Sequence, residues 1–197
     1  MLAAVILSGG ESSRMGSPKA LLRYQEKTFL EHLLQSSVHE KIGARRIVLG
    51  ADAAVIARAL TLPPEETVIN ADWRKGTLSS IHAALKSLPP HTDGILLQLI
   101  DHPLVTAQLI HSLIAAFYSS GKKIVVPLCK ARRGHPVIFS AALYQELLDA
   151  PLDVGARAVV WAHPDEVLEV PTEDQACLQN INDPATFAAL QGNSDAQ

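Results

Sequence analysis

Apolar residues in this chain follow two rhythms that alternate from one segment to the next. Leu2–Leu7 is an unbroken apolar run ending in Ser8-Gly9-Gly10, which predicts a buried strand entering a loop. Thr28–Val38 carries Phe29, Leu30, Leu33, Leu34 and Val38, the spacing of one helix face. Ile47–Leu49 predicts a second strand, and Asp52 stands where it can cap a helix running to Leu60. Val68–Asn70 predicts a third short strand. Thr77–Leu88 places Leu78, Ile81, Leu85 and Leu88 on one helical face before Pro89-Pro90 stops it.

The second half repeats the alternation. Gly94–Ile100 is an apolar strand apart from Gln98, and it runs into Asp101-His102-Pro103. Thr106 caps a predicted helix through Phe117, and Lys123–Pro127 and Val137–Phe139 predict strands. Helices are expected over Ala141–Leu148 and Gly155–Ala162, a late strand over Val167–Val170, and a last helix over Pro184–Leu190 with Pro184 in its first turn. Residues 191–197 are expected to fray. Strands alternating with helices imply a mostly parallel sheet with helices on both faces, a three-layer α/β/α fold. Ligands of such open sheets bind at the carboxyl ends of the strands. Ser8–Gly10 and Asp101 both fall at such ends, so one cleft is expected to hold both.

Bulk properties narrow the chemistry. The length of 197 residues fits one domain. The net charge is −3 with scattered Lys and Arg, which argues against a nucleic-acid-coating surface. Phosphate on a substrate would be neutralised locally, by a few positioned cations and a metal. Two cysteines, Cys129 and Cys177, are too sparse for a disulfide framework and are expected as buried or partly buried thiols. There is no CxxC pair and no H-E-x-x-H, so a zinc site is not expected. No basic leader precedes the short apolar start, and no apolar run approaches the roughly 20 residues that span a bilayer. A cytoplasmic location is the expectation.

The segment Leu7-Ser8-Gly9-Gly10-Glu11-Ser12-Ser13-Arg14-Met15-Gly16-Ser17-Pro18-Lys19 carries the densest chemistry. Glycines at 9, 10 and 16 are expected to let the backbone turn through positive φ and approach a ligand. Successive N–H groups in such a loop suit an anion. Arg14 offers a planar fork to phosphate oxygens and Lys19 a compact charge. The loop lacks the Gly-Lys-Ser/Thr of a Walker A sequence and the register of G-x-G-x-x-G. A serine nucleophile would need G-x-S-x-G, which is also missing.

The pattern L-x-G-G-x-S-x-R-M-G-x-P-K resembles the signature of the MobA-like nucleotidyltransferases, enzymes of the GT-A-like, Rossmann-like α/β architecture shared with nucleotide-diphospho-sugar transferases. The likeness is strongest to the molybdenum cofactor cytidylyltransferase and guanylyltransferase group. Further stretches along the chain agree with it: Asn70-Ala71-Asp72-Trp73-Arg74-Lys75-Gly76-Thr77-Leu78-Ser79-Ser80, Asp101-His102-Pro103, Gly134-His135-Pro136, Asp153-Val154-Gly155-Ala156-Arg157 and Asn180-Ile181-Asn182-Asp183-Pro184.

What the resemblance implies is specific. Arg14, Lys19 and Asp101 would be catalytic. Leu7, Ser8, Gly9, Gly10, Arg14, Gly16, Lys19, Asn70, Gly76, Ser79 and Ser80 would bind the nucleotide, and His102, Gly134, His135 and Pro136 the acceptor. Asp101 with Asn180 or Asn182 would hold Mg²⁺, which takes one or two protein oxygens beside phosphates and waters. Residues 1–100 would form mainly the nucleotide half of a single domain and 101–190 mainly the acceptor half. The implied reaction joins a nucleoside monophosphate to a phosphate-bearing acceptor, molybdopterin, with release of pyrophosphate. A molybdoenzyme or its maturation chaperone would be the downstream partner. Gly134-His135-Pro136 and the Arg14–Lys19 spacing look like the cytidylyltransferase branch, whereas Gly9-Gly10 looks like the guanylyltransferase branch. The balance favours CTP over GTP. Rival readings are a sugar or sugar-alcohol phosphate nucleotidyltransferase, a non-catalytic nucleotide sensor and a dinucleotide oxidoreductase. The last would need the missing Rossmann register.

Overall fold

A computed structural model of the chain describes residues 1–12 and 15–192. In chain order the strands and α-helices are β1 (Leu2–Ser8), β2 (Arg23–Tyr24), β3 (Lys27–Thr28), α1 (Phe29–Ser36), β4 (Ile42–Leu49), α2 (Ala53–Leu60), β5 (Thr67–Ile69), α3 (Thr77–Lys86), β6 (Gly94–Leu99), α4 (Ala107–Ser120), β7 (Ile124–Cys129), β8 (Arg132–Arg133), β9 (Val137–Ser140), α5 (Tyr144–Asp149), α6 (Arg157–Ala162), β10 (Val167–Pro171) and α7 (Pro184–Gly192). The main sheet runs β10-β7-β9-β6-β1-β4-β5, with β8 appended to β7.

The sheet is mixed and mostly parallel. β1 pairs in parallel with both β4 and β6, as β4 does with β5 and β10 with β7. β9 lies antiparallel between β6 and β7. Because side chains alternate across a strand, β1 feeds two cores. Ala3, Val5 and Leu7 join Leu78, Ile81, Leu143, Leu147 and Val159, so α3, α5 and α6 cover one face. Ile6 joins Leu30, Leu33 and Ile56 of α1 and α2, and Leu2 joins Leu109, Ile110 and Leu113 of α4 on the other. Both faces are sealed, which is why β1 and β6 read as continuous apolar runs. Both cysteines are buried, as expected.

The cap expected at Thr106 forms, and Thr28, expected only as part of a helical segment, caps α1 as well. Thr28 closes a capping box: its hydroxyl accepts from Glu31 N–H at 3.2 Å, while Glu31 Oε2 accepts from Thr28 N–H at 2.7 Å. Thr106 Oγ1 accepts from Leu109 N–H. Asp52 differs: it occupies the N-cap position of α2, yet its side chain makes no capping bond. β4 begins five residues before the expected Ile47, because pairing with β1 carries the strand through the polar Arg45 and Arg46, with Gly43 left at a register shift. Gln191 and Gly192 continue the last helix, which corrects the fraying expected there; residues 193–197 lie outside the described ones. No described helix is long and apolar enough to cross a membrane.

Thr28→Ala removes the cap and one half of the box. It should lower the unfolding free energy by about 1 kcal/mol with the m-value unchanged, read from urea titrations.

Candidate nucleotide-binding cleft

Three consecutive parallel strands, β6, β1 and β4, end on the same rim, and a cleft of about 270 Å³ opens there. Leu7 and Ser8 end β1 and Gly9 and Gly10 follow them. Glu11, Ser12, Pro18 and Lys19 line the cleft from the loop beyond. Asp52 and Ile56 come from the start of α2, Trp73 and Gly76 from the approach to α3, Thr77 and Ser80 from its first turns, and Leu99, Ile100 and Asp101 from the end of β6. Small-ligand sites usually start near roughly 300 Å³, so this shape suits an elongated ligand lying partly in solvent.

The glycines work differently from the expectation. Gly16 takes positive φ, 68°, but Gly9 and Gly10 are not among the positive-φ residues. Gly9 is required by proximity: a Cβ there would stand 2.7 Å from Ser80 Oγ. Gly50, which sequence reasoning passed over, is tighter still. A Cβ on it would overlap the Gly9 carbonyl oxygen and come within 2.7 Å of Trp73 Cβ. Ala51 N–H also donates to the Gly9 carbonyl at 3.3 Å. The ends of β1 and β4 and the approach to α3 are therefore pressed together through two glycines.

The loop itself is anchored at Ser12. Its hydroxyl accepts from Lys19 N–H at 3.0 Å and its carbonyl from Met15 N–H at 2.9 Å. Ala20, fully buried, pins the turn that follows. Lys19 Nζ donates to Asn182 Oδ1 at 2.5 Å, across 163 positions of sequence. Beside it, Ile181 N–H donates to the carbonyl of Asp101 at 2.7 Å. The segment before α7 thus returns to the rim and ties Lys19 and Asp101 into one region. Arg14 lies outside the described residues.

The other expected site residues divide. Gly76 and Ser80 line the cleft; Asn70 and Ser79 do not. Asn70, buried, donates through Nδ2 to Ser79 Oγ at 2.9 Å and to Ser80 Oγ at 3.0 Å, and accepts from Asp72 N–H. Ser79 donates to the carbonyl of Gly76. These two shape the wall from behind, where the sequence pattern put them against the nucleotide. Asn180 is exposed, whereas Asn182 is half-buried with its oxygen on Lys19.

Next to Asp101 the acceptor candidates gather, outside the cleft lining. The His102 and His135 rings lie 5.0 Å apart between centroids. Gly134 packs on Cys177, where a Cβ would meet Sγ at 2.9 Å, and His135 N–H donates to the Cys177 carbonyl. The His135–Pro136 peptide is cis. Among the described residues, Nδ1 of each histidine is buried without a hydrogen-bond partner. Burial pushes the His135 imidazole down to about 4, the His102 ring adds to this, and Asp101 opposes it. Burial likewise lowers His102, against Asp101 and the Ala176 carbonyl.

A mixed, mostly parallel α/β sheet with helices on both faces and a glycine-bearing loop after its first strand is a nucleotidyltransferase-type fold. The chain belongs to the MobA-like NTP transferase domain family, whose domain matches residues 4–167. It is 30% identical over 194 residues to nicotine blue oxidoreductase of Paenarthrobacter nicotinovorans, covering 90% of each chain. It is 27% identical over 190 residues to the probable molybdenum cofactor guanylyltransferase of Flavobacterium johnsoniae, covering 92% of each. Among solved structures, Rv0371c of Mycobacterium tuberculosis H37Rv superposes with a TM-score of 0.81 at 25% identity, over 97% of this chain and 98% of that one. The same protein solved with manganese gives 0.73 at 24% identity over the same shares.

The histidine pair makes stability pH-dependent. Its folded-state pKa values lie below the unfolded value of 6.5, so the unfolded chain binds more protons in acid. That contribution is complete above pH 6.5 and is lost as pH falls towards 4. His135→Gln should flatten the acid limb of a Tm-against-pH curve between those values.

Proposed function

We propose that this protein transfers a nucleoside monophosphate from CTP or GTP to a phosphate-bearing acceptor, molybdopterin, and releases pyrophosphate. One observation carries the reading: Lys19, the glycine-bearing loop and Asp101 line a single cleft at adjacent strand ends. The first hundred residues then hold the nucleotide, and residues 101–190 present the acceptor. The likeness to a probable molybdenum cofactor guanylyltransferase over nearly the whole chain supports molybdopterin as the acceptor class.

In this mechanism an oxygen of the acceptor phosphate attacks the α-phosphorus. The bond from that phosphorus to the oxygen bridging to the β-phosphate breaks, and pyrophosphate departs opposite the attack. The acceptor phosphate is already ionised at neutral pH, so positioning and charge stabilisation do most of the work. Lys19 meets the charge growing on pyrophosphate, held at the right depth by Asn182 and Ser12. Arg14, by its place in the motif, joins it. Ser8, Gly9 and Gly10 offer backbone to the nucleotide, and Gly16 supplies the positive-φ turn of the loop. Gly76 and Ser80 form the opposite wall, braced by Asn70 and Ser79. His102, with Gly134, His135 and Pro136, flanks the acceptor side.

The donor set fits magnesium. Among the described residues no three of His, Cys, Asp and Glu converge as a metal cage. A half-buried carboxylate at a strand end matches a cation bound mainly by phosphates and water. Asp101 would hold it; Asn182 serves Lys19, and exposed Asn180 is left as the second oxygen. When bound, Mg²⁺ neutralises phosphate charge and polarises the α-phosphorus.

A second reading comes from the likeness to nicotine blue oxidoreductase: a redox reaction on the same scaffold. Gly9, Gly10 and Gly16 do not give the dinucleotide register, which disfavours it.

A pyrophosphate-release screen crossing the four triphosphates and Mg²⁺ with molybdopterin and sugar phosphates tests the proposal. Release with molybdopterin is expected. Release only with a sugar phosphate would reassign the acceptor, and oxidation of NAD(P)H without release would favour the redox reading. Lys19→Ala should lower kcat by about a hundredfold or more. Asp101→Ala should abolish the metal-dependent rate while leaving the protein folded. Undiminished turnover in either variant would remove that residue from the chemistry.

A further inference from the structure

Asp52 stands where a helix cap belongs and does not cap. It holds the N-cap position of α2 with φ −104° and ψ 20°, and its side chain makes no bond to the first turn. Aspartate is among the best capping residues, so leaving the first turn uncapped is a cost that some other role must offset. The residue lines the cleft beside Ile56 and Trp73.

Its position can be read in strand spacings. Asp101 follows β6, Gly9 follows β1 and Asp52 lies just past the end of β4, and these strands are consecutive. At about 4.8 Å per strand, Asp52 stands about 10 Å along the rim from Asp101. That is the span of a nucleoside monophosphate whose phosphate is held at the Asp101 end. The surroundings suit a flat ring. Ile56 is buried, and Trp73 is fixed against Gly50, where a Cβ would stand 2.7 Å from Trp73 Cβ.

We propose that Asp52 selects the nucleobase, and that the base it selects is guanine. The inference rests on the transferase reading of the cleft. A carboxylate accepts hydrogen bonds through two oxygens and is best satisfied by two donors side by side. Guanine carries such a pair on one edge, the ring N1–H and the exocyclic N2 amino group. Cytosine and adenine set their amino group next to a ring-nitrogen lone pair. Uracil flanks its single N–H with two carbonyls. Each of those three therefore turns a lone pair towards a carboxylate oxygen, and the repulsion between them disfavours binding. This assigns to one side chain the choice between GTP and CTP that the motifs leave divided.

Calorimetric titration with GTP, ITP, CTP, ATP, UTP and 2′-deoxyGTP, each with Mg²⁺, tests this on the unaltered protein first. ITP keeps the N1–H and lacks the 2-amino group. GTP should bind roughly tenfold or more tightly than ITP or CTP. Asp52→Asn should erase the GTP–ITP gap while leaving ITP affinity within about threefold. Equal binding of GTP and ITP by the unaltered protein, or a preference for CTP unchanged by Asp52→Asn, overturns the assignment. A GTP–2′-deoxyGTP gap that Asp52→Asn erases while the GTP–ITP gap persists would place Asp52 on the ribose and overturn it as well. If no triphosphate binds, the transferase reading falls and this inference with it. If all bind alike, only this inference falls.

Discussion

Lys19 and Asn182 meet at 2.5 Å although 163 residues separate them, and Ile181 meets Asp101 beside them. A lysine on a loop is a long, freely rotating charge, and holding it costs side-chain entropy. Here that cost is offset by a fixed amide oxygen and by a loop whose backbone is already tied at Ser12. The same returning segment grips the backbone of Asp101. One contact zone therefore sets both a cation and a carboxylate on the rim of the sheet. Everything assigned to the cleft depends on that zone holding its place.

The rim itself depends on close backbone approach. Gly9 and Gly50 let the ends of β1 and β4 touch, with Trp73 pressing on them from the approach to α3 and Ser80 from its first turns. Asn70 then ties that approach to α3 through Ser79 and Ser80. The result is a rigid wall built from small residues and buried polar bonds. A site that must hold a phosphorus atom in line with its leaving group benefits from such a wall, because positioning supplies much of the rate. The region beside Asp101 is built differently, from buried His102 and half-buried His135, whose rings lie tilted 5.0 Å apart, and a turn packed on Cys177.

Family membership and the geometry speak to different levels of function. The chain belongs to the MobA-like NTP transferases, and its fold matches Rv0371c of Mycobacterium tuberculosis along nearly its full length. Relatives of similar length include proteins named as an oxidoreductase and as a guanylyltransferase, so the scaffold hosts more than one activity. What separates such activities lies in a few side chains around a common rim. In this chain Asp52 and Trp73 line the cleft, and His102 and His135 lie beside Asp101 outside it.

Much of the fold was legible in the residue order, since its signals are local. Periodicity marked the strands and helices, the Thr106 cap acts within one turn, and the loop after Leu7 announced itself by its glycines and cations. The sequence by itself also placed Asp101 at the end of a buried strand. It could not place β9 antiparallel between β6 and β7, bring Asn182 to Lys19, or reveal that Gly50 is needed because Gly9 and Trp73 crowd it. Nor could it show that Asp52 forgoes its cap and that Asn70 braces the wall from behind. Those outcomes are contacts between residues distant in the chain. No local preference encodes them; they exist only once the sheet has brought its strand ends onto one rim.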